Sequence, residues 1–171
     1  MYIPNKPKKY GIKLFTTIDA KSFYANMEIY ASQQPSGPYK VDNSCAAVIT
    51  RMYEPLYGTE INITMDRWFV NCSLVLQLTR EHRLTVVSTT QSQRKGLPPI
   101  MTNVKHRPVS FSIFGFGAHM MVISHVLKKY KNVLLVSSFH HSDTVAETSK
   151  SPEMILFYSD TKCLVDIVDK M

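Results

Sequence analysis

The chain has 171 residues, a net charge of +7, a pI near 9.3 and 44% hydrophobic residues. That length suits one domain with a real core, and the apolar content excludes wholesale disorder. The basic excess suits an acidic partner such as nucleic acid, but the lysines and arginines are dispersed, as on any solvated basic surface.

The opening MYIPNKPKKYG carries Pro4 and Pro7 and reads as an extended polar lead-in. It lacks the apolar core of a signal peptide, and no apolar run approaches the roughly 20 residues of a membrane span. Residues 11–19 (GIKLFTTID) alternate as a strand, and 20–31 supply a turn and a second strand, so the pair reads as a hairpin. SQQPSGP is a loop by composition. From 39 to 55, Val41, Cys45, Val48, Ile49 and Met52 share one helical face, closed by Pro55 and Gly58.

NITMDRWF (62–69) follows. Ile61, Ile63 and Met65 alternate with Asn62, Thr64 and Asp66, a half-buried strand that ends on an acid. SLVLQLTREH reads as a helix and LTVVSTT (84–90) as a further strand, giving the order β-β-α-β-α-β. QRKGLPPI then breaks regularity, and RPVSFSIF, HMMVISHVL and NVLLVSS follow as short strands, with the polar loop HHSDTVAETSKSP after them. EMILFY reads as one more strand, and TKCLVDIVDKM as the start of a helix. On that helix Lys162, Asp166 and Asp169 share one face.

Cys45, Cys72 and Cys163 are odd in number and widely spaced, form no CxxC pair, and read as small buried residues in a reducing compartment. The reading is a soluble intracellular protein. Trp68 and Phe69 read as packed under the sheet, or as a stacking platform for a base. His140, His141 and Asp143 read as solvated loop residues rather than a metal cluster, because adjacent histidines on extended chain point to opposite faces. Arg94, Lys95 and Arg107 read as surface cations or phosphate contacts.

Carboxylates at a strand end and on a later helix can converge on a hard divalent cation, which takes oxygen ligands. MYIPNKPKKYGIK, NITMDRWF, the RKGLPP turn, RPVSFSIF, the LLVSS strand and YSDTKCLVDIVDKM together resemble successive blocks of the DDE domain of piggyBac-type transposases, over essentially the whole chain. The resemblance implies an α/β fold of RNase H-like type with an inserted β-rich subdomain. It divides the chain into a core at 1–92, an insertion at 93–152 and a return to the core at 153–171. It also implies metal-dependent DNA cleavage and strand transfer at TTAA targets, with Mg²⁺ or Mn²⁺ as cofactor, DNA as partner, action as dimers, no membrane association and a nuclear location. By resemblance, Asp66 matches the second catalytic aspartate, Asp166 the third and Asp169 a further acid, with Asp66 and Asp166 as metal ligands. Arg67, Arg94 and Lys95 are the nucleic-acid contacts it suggests.

Departures from the pattern shape the expected activity. The family's first aspartate lies upstream of MYIPNKP, on a first strand that this chain lacks, and Asp19 matches a turn residue instead. Cys163 and Leu164 stand where the family has two glycines, and Arg67 where it usually has asparagine. The expectation is a transposase catalytic-domain remnant, truncated at both ends and inactive as it stands. The alternatives are a domesticated DNA-binding or interaction module without catalysis, and an active enzyme whose coding sequence starts further upstream.

Overall fold

The computed structural model describes residues 2, 9–19, 25–32, 34–93 and 96–168, with the side chains of 25 and 164–168 outside that description. The chain divides into two compact units, Met1–Pro55 and Leu56–Met171.

In the first unit, β1 (Leu14–Ile18) and β2 (Ala25–Ile29) pair antiparallel with Leu14 opposite Ile29 and Thr16 opposite Met27. The expected hairpin is therefore present. The helix expected over 39–55 is shorter: α1 runs Cys45–Tyr53. The reason lies in Asp-Asn-Ser. The Asp42 carboxylate accepts the Ser44 N–H at 2.8 Å, and the Ser44 hydroxyl caps α1 by accepting the Ala47 N–H at 3.4 Å. Short polar side chains that bond their own backbone start helices rather than continue them. Those Ser44 bonds, backbone first, hold the Asp42 carboxyl below the usual range. Val48, Ile49, Met52 and Tyr53 form the buried face of α1. Arg51 ties α1 to β2 by a forked pair with Glu28, at 2.7 and 3.2 Å.

The second unit is built on one five-stranded sheet of order β3-β4-β7-β6-β5. Its strands are β3 (Asn62–Met65), β4 (Thr85–Thr89), β5 (Ser112–Phe116), β6 (Met121–Lys128) and β7 (Lys131–Ser137). β3 and β4 are parallel, joined through α2 (Cys72–His82), whereas the other pairings are antiparallel. This is a mixed sheet, because a parallel pair needs a crossover and a meander does not. Asn71 caps α2 by accepting the Leu74 N–H at 2.8 Å, and Arg83 closes it in the left-handed conformation, φ 55°. The four-residue helix α3 (Pro99–Thr102) occupies part of the stretch read as irregular.

One correction is large. Residues 153–158, read as a strand, open the 16-residue helix α4 (Glu153–Val168). Pro152 accepts the Ile155 and Leu156 N–H groups at 2.9 and 3.3 Å, so the proline begins the helix. Met154 and Tyr158, four apart, are buried with Val87, Met121, Ile123 and Leu135, so EMILFY follows a helical period hidden inside a short apolar run. The cysteine reading also changes. Cys45 and Cys72 are half-buried, and Cys163 is exposed, its thiol donating to the Asp160 carbonyl at 2.9 Å. Among the described residues no helix is long and apolar enough to cross a membrane.

His125 on β6 is 3% exposed, bonded through Nδ1 to the Ser112 hydroxyl at 2.8 Å. His140 bonds the Ser137 hydroxyl at 3.0 Å and packs against the Phe157 ring at 5.1 Å, which gives it a structural role in the loop after β7. Burial pushes both imidazoles below their ordinary titration range, with Glu153 opposing the shift at His140. The unfolded chain then takes up protons more readily than the folded one. Stability is full above roughly pH 6.5, where a free imidazole titrates, and falls as pH drops toward the depressed folded values. Urea midpoints measured at pH 7.5 and 5.5 should show the lower value at pH 5.5, and His125→Gln should flatten the difference. A profile that is flat in the unsubstituted chain would contradict the burial argument.

Candidate active site

β3 and β4 run parallel, so both deliver their C-terminal ends to the same edge of the sheet, where α/β sheets place ligands. The faces at that edge follow from alternation. Thr64 lies on the side covered by α4, its hydroxyl 2.8 Å from that of Thr161. Ile63 and Met65 are buried on the reverse side. Asp66, the first residue after β3, continues the series of Asn62 and Thr64 on α4's side. Its neighbour Arg67 is exposed in the turn that follows.

Asp66 is exposed, and one carboxylate oxygen accepts the Trp68 N–H at 2.8 Å, while its carbonyl accepts the Phe69 N–H at 3.1 Å. The carboxylate is thus oriented by a turn that it makes itself. Trp68 stands 39% exposed, edge-on to Phe69 at 4.7 Å between centroids, so the tryptophan is not packed under the sheet.

α4 crosses the same face. Met154 enters the cluster with Leu135 and Ile123, the Tyr158 hydroxyl lies 3.2 Å from that of Thr89, and Thr161 reaches Thr64 on β3. Five residues further along the helix is Asp166. Its side chain lies outside the described atoms, and Asp169, Arg94 and Lys95 lie outside the described residues. The fold therefore brings the carrier elements of Asp66 and Asp166 together at β3. Among the described residues no group of three or more His, Cys, Asp or Glu side chains stands ready to hold a metal ion. That includes the histidine loop at 140–143. Hard cations take oxygen ligands, the kind of group that the Asp66 carboxylate offers at the end of β3.

On the reverse side of the edge lies an open cleft of about 390 Å³, lined by Arg67, Thr90, Gln91, Ser92, Gln93 and Asn132. Composition alone had not singled out the last five. The signal was present: TTQSQ directly follows a strand with a parallel partner, where polar side chains have no core to fill. Arg107, by contrast, is committed inside the fold, donating to the Ser124 hydroxyl at 2.8 Å and to the Ile100 carbonyl.

Over residues 1–171 the chain matches the family model described as Transposase IS4. It is also similar to the cryo-EM structure of a piggyBac transposase synaptic complex with hairpin DNA, at 33% identity and a TM-score of 0.89. That match covers 100% of this chain and 36% of the other, so the chain spans about a third of that relative's length.

Removing the Thr64 hydroxyl should loosen α4 from β3. Thr64→Val is expected to lower the unfolding free energy by about 1 kcal/mol, the usual net value of such a bond, leaving the Thr161 hydroxyl with its own bond to the Phe157 carbonyl. Chemical denaturation checks this, and an unchanged midpoint would mean that the contact does not hold the helix.

Proposed function

The chain belongs to the Transposase IS4 family, and from that premise we propose that it carries the metal-holding and DNA-contacting part of an RNase H-like catalytic core, derived from a transposase of piggyBac type. The observation that carries this reading is Asp66 at the exit of β3, on the face across which α4 leads to Asp166. In this reading residues 1–92 and 153–171 form the core, and the β-rich segment 93–152 is inserted between them. Nuclear location and dimeric action belong to the same proposal.

Asp66 and Asp166 would hold Mg²⁺ or Mn²⁺, with Asp169 as a further acid. When bound, the ion would supply positive charge to the oxygens of a phosphoryl group under attack. The remaining work belongs to the chain. A strand exit holds the first carboxylate more rigidly than a loop does, and the Trp68 N–H fixes its rotation. Pairing of Thr161 with Thr64 sets where α4 stands relative to that carboxylate. Arg67, Arg94 and Lys95 neutralise phosphates along the strand and position it without reading its sequence.

A second reading, a DNA-binding module without catalysis, is favoured by Arg67. A cation adjacent to the ligand Asp66 opposes a divalent ion and attracts a phosphate. Cys163 and Leu164, in place of small residues, add bulk next to the acidic turn of the helix. The chain is accordingly proposed to bind DNA and not to cut it.

Incubation with Mn²⁺ and a duplex carrying transposon ends tests both parts. The expected result is weak, sequence-tolerant binding that fades as salt rises, with no nicking above background. Metal-dependent cleavage lost in Asp66→Ala would overturn the non-catalytic part. Absence of binding even at low salt would overturn the DNA reading as a whole.

A further inference from the structure

We propose that the cleft on the reverse face of the β3–β4 edge is a phosphate subsite, centred on Arg67, that holds a backbone phosphate of a DNA strand away from the carboxylate site; this rests on the DNA reading above. Three observations carry it. The first is direction. Arg67, in the turn that follows β3, lines the cleft together with Thr90 and Leu134, residues on the face of β4 and β7 turned away from α4. The β3–β4 register ends with Met65 opposite Ser88, so the turn carrying Asp66 and Arg67 begins beside Thr89 and Thr90. Thr89 bonds Tyr158 of α4, whereas Thr90 lines the cleft. β7 agrees: Leu135 joins the α4-side core, and its neighbour Leu134 lines the cleft.

The second observation is charge. Among the described residues the lining contains one cation, neutral polar side chains, Leu134 and no carboxylate. The Arg67 guanidinium has no ion pair or hydrogen bond among the described residues, with Asp66 or any other. An unpaired guanidinium among hydroxyl and amide donors selects an oxyanion, and its fork matches phosphate geometry.

The third is the wall. The Asn132 amide is committed inward, donating to the Met101 carbonyl at 3.1 Å and to the Ser124 hydroxyl at 2.8 Å. The Thr90 N–H donates to the Leu134 carbonyl at 2.9 Å. One wall is therefore rigid, while the exposed Gln91, Ser92 and Gln93 opposite supply adjustable donors. A volume of about 390 Å³ accommodates a group of nucleotide size. A strand passing the open edge of β3 would then meet the carboxylate on one face and the guanidinium on the other.

The test is a salt titration of the whole chain with a fluorescent duplex, read as affinity and as the slope of log K against log salt. Arg67→Gln should weaken binding about three- to tenfold and reduce the slope by about 0.9, the signature of one lost phosphate contact. Arg67→Lys should keep the slope and lose part of the affinity, because the charge stays and the fork goes. Gln91→Ala with Gln93→Ala should weaken binding at constant slope. Unchanged affinity and slope in Arg67→Gln, with binding intact, would overturn the subsite and leave the DNA reading standing. No binding by any form would overturn both. A separate arm adds inorganic phosphate at constant ionic strength. Millimolar phosphate that abolishes the difference between the unsubstituted chain and Arg67→Gln would support the site's chemistry. Saturation by micromolar phosphate would assign the cleft to the free ion and overturn the DNA assignment.

Discussion

The site depends on α4 lying across β7, β4 and β3. A helix of 16 residues rises about 24 Å at about 1.5 Å per residue, far enough to start over the sheet's centre and end beyond its edge. Burial of Met154 and Tyr158 against Leu135, Ile123 and Val87 supplies the adhesion. Two hydroxyl pairs, Tyr158 with Thr89 and Thr161 with Thr64, supply the register. Apolar contacts tolerate sliding, whereas hydrogen bonds between defined atoms do not, so the threonine pair fixes which part of α4 meets β3. The distance between Asp66 and the acidic part of α4 depends on that register.

The parallel pair is the second constraint. α2 carries the chain back so that β3 and β4 end at the same edge, and their neighbour β7 begins there. The ends of β3 and β4 meet there beside the start of β7, which β6 pairs and β4 barely reaches, and that is where polar side chains accumulate. Asp66 and Arg67 carry opposite charges one residue apart, yet among the described residues they form no ion pair. In the proposed reading, one turn offers a carboxylate to a cation and a guanidinium to a phosphate.

Much of this was legible in the sequence. Alternation over 61–66 and the β-branched run at 84–90 announced β3 and β4, and SLVLQLTREH between them announced the helix α2. Asp66 stood out because an acid at a strand's last position has no role in the strand itself. The start of α1 was misread because Val41 fits the helical period, while Asp42 and Ser44 instead hydrogen-bond the local backbone. EMILFY was misread because the five apolar and aromatic residues after Glu153 satisfy a buried strand as well as a helix. Pro152 was the discriminating signal, since proline opens helices more readily than it enters sheets. The cleft was invisible for a different reason. Its lining comes from three segments, around 67, 90–93 and 132, and only the strand order makes them neighbours.

The central claim is that Asp66 and the acidic part of α4 form one cation site. Titrating the chain with Mn²⁺ while recording backbone amide resonances tests it most directly, because paramagnetic broadening reports distance from the bound ion. The account predicts that residues 65–68 and 163–166 broaden together at the lowest Mn²⁺ concentrations, and that Asp66→Asn abolishes both effects. Broadening confined to one of the two segments, or centred on the histidine loop at 140–143, would contradict it.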